Sequence, residues 1–246
     1  MAIKRYFSNA DTTITNAYQE DLVTRGTGSN MGAADILEIF QIYGQVSGAS
    51  GLESELSRVL IKFPVSDIIT DRNAGTVPSA GSVNFYLRLY NAEHTKTTPS
   101  NFTLSVLPVS ADWEEGIGMD MENYSDVTSG YLGSNWIQSA GSTAWSSTGG
   151  DYHASPESTV SFASGLENIE VDVTTLVEQW IAGSKSNYGF GVKLSSTDED
   201  STTSVYTKKF FSRTSQFFHK RPTLEARWNS VRSDQRGDFY ISSSML

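Results

Sequence analysis

The sequence predicts an all-β fold, namely an antiparallel, jelly-roll-like β-sandwich with one short helix near residues 174–183. Short runs of alternating apolar and polar residues recur along most of the 246-residue chain, separated by clusters of Gly, Ser, Asn and Asp. That pattern is typical of short strands joined by turns. Hydrophobic residues make up 38% of the chain and aromatic residues 11%, which is enough to fill a sizeable core.

The alternation that predicts strands is clearest between residues 83 and 90. Every second side chain there is apolar, which places Val83, Phe85, Leu87 and Leu89 on one face of a strand. Between residues 57 and 63, Val59, Ile61 and Phe63 alternate in the same way with Arg58, Leu60 and Lys62. Further strands are predicted over residues 102–107, 169–173, 188–194, 205–211 and 222–228.

One segment has helical rather than strand periodicity. Leu176, Val177, Trp180 and Ile181 recur at the spacing of one helix face. Thr174 or Thr175 can cap the start of this helix and Gly183 can end it. We expect the helix to close one end of the sandwich with Trp180.

The predicted domain organisation has three parts. A sandwich domain covers residues 11–228, an N-terminal arm covers residues 1–20, and an extended C-terminal arm covers residues 229–246, where the periodicity is lost. The arm residues expected to contact neighbouring proteins are Arg232, Arg236, Phe239 and Tyr240. Residues 119–161 are rich in Ser and Gly but carry several aromatics, which predicts a long ordered excursion.

Charge and composition exclude several classes of function. The formal net charge is −10, from 18 basic and 28 acidic residues, and a negative field repels nucleic acid. The chain has no cysteine, so disulfides and cysteine-ligated zinc are excluded. No stretch approaches the roughly 20 apolar residues of a membrane helix, and the N-terminus lacks the pattern of a signal peptide. We therefore expect neither a nucleic-acid nor a membrane partner.

Candidate chemistry in the sequence is sparse, and we expect no catalytic residue and no cofactor. Glu114 and Glu115 are neighbours, so on a strand they would point to opposite faces and could not act on one substrate. Asp198 and Asp200 are weak candidates for binding Ca²⁺, because their segment lacks the spacing of a calcium loop. A solvated turn is the favoured interpretation there, and no metal site is expected.

The strongest local binding hypothesis concerns three aromatic residues of the excursion. Trp136, Trp145 and Tyr152 could form a platform on which sugar rings stack, since aromatic faces suit pyranose rings. The alternative is that the three rings simply pack against the sandwich.

Several segments together resemble the DNRLRE-type domain, a carbohydrate-binding-module-like β-sandwich. In chain order they are Asp11–Ile14, Asn30–Gly32, Arg58–Phe63, Phe85–Tyr90, Trp113–Glu115, Val171–Trp180 and Arg221–Trp228. The resemblance implies a sandwich used for binding or scaffolding. It transfers no sugar-contacting residue, because the shared positions are core and turn positions.

The chain is also similar to structural proteins of tailed bacteriophages. Its start at Met1–Tyr6, the segment Lys208–Phe211 and the segment Arg236–Tyr240 carry this likeness. The likeness implies a structural protein of the virion, in the capsid, neck or tail, that is made in the host cytoplasm and assembles with copies of itself and other virion proteins. Two alternatives remain open: an adhesion module that binds host surface glycans, and a polysaccharide hydrolase.

Overall fold

The computed structural model describes residues 1–44, 54–93, 99–120 and 133–230, with backbone only for residues 205–207. Two antiparallel sheets in these ranges pack face to face around a common core. The predicted all-β sandwich is therefore confirmed. No helix in the described part of the chain is long and apolar enough to cross a membrane.

The smaller sheet has four strands, and the first described strand lies at its edge. The spatial order is β1 (Ala2–Phe7), β13 (Thr223–Trp228), β5 (Asn84–Leu89) and β10 (Ile169–Asp172). Every neighbouring pair is antiparallel.

The larger sheet has seven strands. Six lie in the order β12 (Val205–Phe211), β3 (Ile36–Tyr43), β4 (Ser54–Lys62), β11 (Phe190–Leu194), β6 (Phe102–Pro108) and β9 (Ser158–Phe162), and β2 (Ala10–Thr15) also pairs with β4. A small hairpin of β7 (Gln138–Ala140) and β8 (Thr143–Ala144) belongs to the excursion.

The main core between the sheets is formed by the residues that the alternation predicts. Phe85, Leu87 and Leu89 of β5 are fully buried and face Val59 and Ile61 of β4, which are also fully buried. Burial of such side chains contributes on the order of 1.5–3 kcal/mol each to folding. The period-2 pattern therefore identifies the inner faces of both sheets.

A second core lies on the other face of the larger sheet. Leu60, between Val59 and Ile61, points away from the main core and packs with Ile14, Val109 and three tryptophans: Trp113, Trp136 and Trp145. The described part of the excursion thus covers this face with an ordered apolar layer. This explains why β4 is apolar on both sides.

The predicted helix is present as α2 (Thr174–Ile181), which buries Leu176, Val177 and Trp180. Its start differs from the prediction. The carboxylate of Asp172 accepts a hydrogen bond from the Thr174 N–H at 2.8 Å, and the Thr174 hydroxyl accepts one from the Phe85 N–H at 2.8 Å. Gly183 follows the helix with φ of 70°, a conformation that glycine adopts without a steric cost.

Two further helices were not predicted. α1 (Val65–Asn73) buries only Val65 and Ile68, so its sequence shows little helical periodicity. It packs beside α2, where Arg72 forms a bidentate ion pair with Glu178, both bonds being 2.7 Å long. The short α3 (Ser196–Glu199) follows β11.

The predicted N-terminal arm over residues 1–20 is wrong. β1 pairs with β13 from Ala2↔Trp228 to Phe7↔Thr223, and β2 pairs with β4 from Ala10↔Lys62 to Thr15↔Ser57. These residues are integral strands of both sheets, because their backbone groups complete the two ladders. The sandwich therefore begins at the first residues rather than at residue 11.

Candidate functional site

The outer face of the four-stranded sheet carries a ladder of ion pairs centred on Glu225. Glu225 lies on the solvent side of the sheet. Its exposed fraction is nevertheless 0%, because three arginines cover it. Arg5 Nε donates to it at 2.7 Å, Arg88 NH1 at 3.2 Å and Arg227 NH2 at 2.6 Å. Burial acts to raise the pKa of Glu225, but hydrogen bonds from Arg5 and Arg227 outweigh it and lower the pKa.

The ladder continues to the far edge of this sheet. Arg227 NH1 donates to Glu170 of β10 at 2.7 Å, and the guanidinium of Arg227 lies over the Tyr86 ring, 4.3 Å from its centroid. The four strands are thus joined by side chains as well as by backbone bonds. This face is a rigid, charged surface rather than a cleft with free acid or base groups.

A groove of about 690 Å³ opens at one end of this sheet. Its walls include two aromatic rings and several polar side chains. The lining residues are Met1, Gly81, Ser82, Asn84, Tyr86, Arg227, Trp228 and Asn229. The groove lies where β13 ends and the chain continues towards residues 231–246. Those residues are outside the described ranges, so the predicted arm contacts at Arg232, Arg236, Phe239 and Tyr240 remain a prediction.

An aromatic and basic patch lies at the opposite end of β1. We define the aromatic-basic patch as Phe7, Phe217, Phe218, Lys220 and Arg221. The Phe7 and Phe218 ring centroids are 4.5 Å apart, Lys220 Nζ lies 5.3 Å from the Phe217 centroid, and Arg221 lies 5.4 Å from that of Phe218. Phe217 and Phe218 are 48% and 49% exposed, so the patch offers apolar area and positive charge together.

The groove and the patch belong to one continuous surface along β1. The strand has six residues and therefore spans roughly 20 Å. Within the described ranges β1 pairs with β13 and occupies the sheet edge, and Ile3 and Arg5 are exposed between the groove and the patch. An edge strand with exposed apolar neighbours is a typical surface for pairing with another chain.

The three residues of the predicted glycan platform are core residues. Trp136 and Trp145 are 7% and 6% exposed and belong to the second core, against which Tyr152 packs. Trp145 Nε1 donates to the Asn135 carbonyl at 2.9 Å, and the Tyr152 hydroxyl donates to the Gly149 carbonyl at 2.9 Å. Their faces are occupied by protein, so this conformation provides no stacking platform at these positions, and the packing alternative describes their placement.

The two weak metal candidates, Asp198 and Asp200, have different surroundings. Asp198 lies in α3, whose N-cap is Ser195. Its Oδ2 accepts from the Ser195 hydroxyl at 2.8 Å and from the Thr103 N–H at 3.1 Å. Asp200 is exposed, whereas Glu199 between them is buried and pairs with Arg58 at 2.8 Å and Lys193 at 3.1 Å. In the described ranges no group of three or more potential ligands of the His, Cys, Asp and Glu types could hold a metal ion.

The acidic segment around Trp113 is also structural. Asp112 pairs with Lys62 at 2.6 Å, Glu115 pairs with Arg213, and Glu114 is exposed. Trp113 between them is buried in the second core and donates from Nε1 to the Tyr188 carbonyl at 2.8 Å. Glu114 and Glu115 therefore have different surroundings and do not face one site.

Comparison with known proteins adds no relative. No family model matches the chain, and no curated protein matches it significantly.

The aromatic-basic patch was missed by the sequence interpretation. Its signal is the consecutive run Phe217-Phe218-His219-Lys220-Arg221 between two predicted strands. Large apolar residues are uncommon at an exposed turn unless they serve a contact. The run lies between β12 and β13, so it could have been identified from its position alone.

Proposed function

We propose that this protein is a structural component of a tailed-phage virion and acts by protein–protein assembly. The observation that carries the proposal is the surface along edge strand β1, where the aromatic-basic patch, the exposed strand and the groove adjoin. The likeness of the sequence to phage structural proteins supports the virion as the setting.

The chemistry of this surface suits an acidic protein partner, including a further copy of the chain. The patch contributes Lys220 and Arg221, while the chain as a whole has a net charge of −10. Opposite charges steer two surfaces together and fix their relative orientation. The half-exposed phenylalanines would then supply apolar area at the centre of the contact.

The buried ion pairs and the two cores of the sandwich suit a mechanical role. Glu225 on β13 is held by Arg5 and Arg88 from two other strands. Glu199 of α3 is held by Arg58 of β4 and Lys193 of β11. Two apolar cores pack against the two faces of the larger sheet. A domain braced in this way presents its surface in one fixed shape, which reduces the entropy lost on assembly.

The test of location is mass spectrometry of purified virions combined with immunogold labelling. The expected result is a fixed copy number per particle and gold particles confined to one structure, the capsid, neck or tail. Particles that lack the protein after purification would overturn the proposal.

The groove favours a second candidate function, glycan binding. Trp228 supplies aromatic surface while Asn84 and Asn229 supply polar groups, which is the combination that sugars require. On this hypothesis Trp228→Ala abolishes binding on a glycan array, whereas Tyr43→Ala, at an exposed aromatic in another strand, preserves it. Absence of array binding by the unaltered protein would retire this candidate.

A further inference from the structure

Lys208 is a lysine buried in the main core. It lies on β12 two residues before Phe210, has an exposed fraction of 1%, and points between the two sheets. Its Nζ lies 4.9 Å from the centroid of the Phe162 ring and 5.2 Å from that of Phe210. Lysine is almost never fully buried unless its charge is paired.

The contacts of Lys208 are unusual for a buried cation. Its Nζ donates to Asn91 Oδ1 at 2.6 Å and to the Gly165 carbonyl at 2.8 Å, and both acceptors are neutral. None of the ion pairs between the described residues includes Lys208. Burial lowers its pKa to about 8, against an opposing effect of the Glu167 charge. A reactive neutral amine is therefore accessible near neutral pH.

The amine is in contact with a carboxamide that can acylate it. Asn91 Cγ is one bond beyond the oxygen that Nζ touches, so the amine lies next to the carbon that it would attack. The loop that supplies the Gly165 carbonyl also carries Glu167, whose Oε1 is held by the N–H groups of Ala163 and Ser164 at 3.0 and 2.7 Å. Its Oε2 is buried without a hydrogen-bond partner among the described residues.

We propose that Lys208 and Asn91 join in an intramolecular isopeptide bond. The neutral Lys208 amine attacks Asn91 Cγ, an Nζ–Cγ bond forms, and the Cγ–Nδ2 bond breaks. Nδ2 leaves as ammonia, carrying its own two hydrogens and one from Nζ, and the new amide nitrogen keeps the other. The proton that the lysine ammonium loses beforehand passes to solvent water. The exchange of one amide for another needs no oxidant or reductant.

The placement of the two residues gives this bond a mechanical consequence. Asn91 follows β5 of the four-stranded sheet, and Lys208 belongs to β12 of the seven-stranded sheet. The two chain segments already meet in the antiparallel bridge Asn91↔Phe210. The bond would clamp the two sheets together and replace a buried charge by a neutral amide. The inference does not depend on the virion assignment.

The deciding experiment is the intact mass of the purified full-length chain under denaturing conditions. We expect a mass lower than the sequence mass by one ammonia molecule. Proteolysis should then release one branched peptide that contains both Lys208 and Asn91. A chain of full sequence mass, or an ammonia deficit located at another residue, overturns the proposal.

Three variants test the assigned chemistry. Lys208→Met should restore the mass expected from its sequence. Asn91→Asp offers a carboxyl group instead of a carboxamide, so any crosslinked product should be lighter by one water molecule rather than one ammonia. Glu167→Gln removes the charge that opposes the lowering of the Lys208 pKa, so crosslinking at early times after synthesis should be at least as fast as in the unaltered protein. Slower crosslinking in Glu167→Gln would contradict attack by the neutral amine, and Glu157→Gln, at an exposed glutamate, serves as the matched control.

Discussion

At the scale of single residues, Asp11 shows how the sandwich uses buried charge. Its carboxylate is 1% exposed, and its Oδ2 accepts a hydrogen bond from the Arg213 N–H at 2.7 Å. Oδ1 has no hydrogen-bond partner among the described residues. Burial raises the pKa of Asp11 to about 7, with the Arg213 hydrogen bond opposing this shift and the Glu115 charge adding to it. A carboxyl group in this position favours the folded state only while it is protonated.

The first prediction follows from the sign of that shift. An unfolded aspartate titrates near ~3.9, so between that pH and about 7 the unfolded chain loses a proton that the folded chain keeps. The contribution of Asp11 to the free energy of unfolding therefore falls as pH rises through this window and is level above it. Asp11→Asn should gain about 3 kcal/mol relative to the unaltered protein between pH 4.5 and pH 7.

The measurement is urea unfolding of both proteins across this pH range. Asp200→Asn, at an exposed aspartate, is the matched control. A stability difference between Asp11→Asn and the unaltered protein that stays constant with pH would contradict the shift.

The same scale shows what residue patterns could not reveal. Nothing in the sequence marks Asp11, Glu199 or Lys208 as buried, because their burial depends on partners 141 residues away for Glu199 and 117 for Lys208. Trp136 and Trp145 were equally suited to a binding platform or a core by residue type. Only the tertiary packing of the excursion against β4 distinguishes the two.

At the scale of elements, strands and helices could be predicted where apolar residues recur at a regular spacing in the sequence. β5 and α2 have regular patterns and were predicted, whereas α1 buries only Val65 and Ile68, both in its first turn, and was not predicted. β1 was assigned to an arm, and its inner face carries Lys4 beside Tyr6. Lys4 lies on the side where Asp71 of α1 pairs with it at 2.6 Å, so a polar inner position is satisfied by a distant helix.

The element-scale prediction concerns the turn that carries the aromatic-basic patch. Phe217→Ser with Phe218→Ser should lower incorporation into particles about tenfold, equivalent to about 1.4 kcal/mol of lost contact energy. The rings are half exposed, so thermal unfolding of the isolated protein should change little. The measurement is the copy number per purified virion. Val23→Ser with Ile117→Ser, at comparably exposed apolar sites elsewhere, is the control, and equal loss in both double variants would remove the patch from the contact.

At the scale of the whole molecule, we expect the sandwich to fold without the C-terminal arm and the arm to serve assembly. Every described strand lies within residues 2–228, and the last residue of β13, Trp228, pairs with Ala2 of β1. The described strands of both sheets therefore all lie before residue 229. The arm instead leaves the sandwich at the groove, next to the surface along β1 that we propose as the contact.

The last prediction separates folding from assembly. Truncation after Trp228 removes residues 229–246 and should leave the melting temperature and the circular dichroism spectrum nearly unchanged, since both sheets and both cores remain. The truncated protein should be absent from purified virions, because the arm's area and strand pairing are lost from the interface.

A full-length Phe239→Ser, Tyr240→Ser variant keeps the arm's length and tests whether its aromatics carry the contact. Truncated protein present in particles at the normal copy number would show that the sandwich surface is sufficient for assembly.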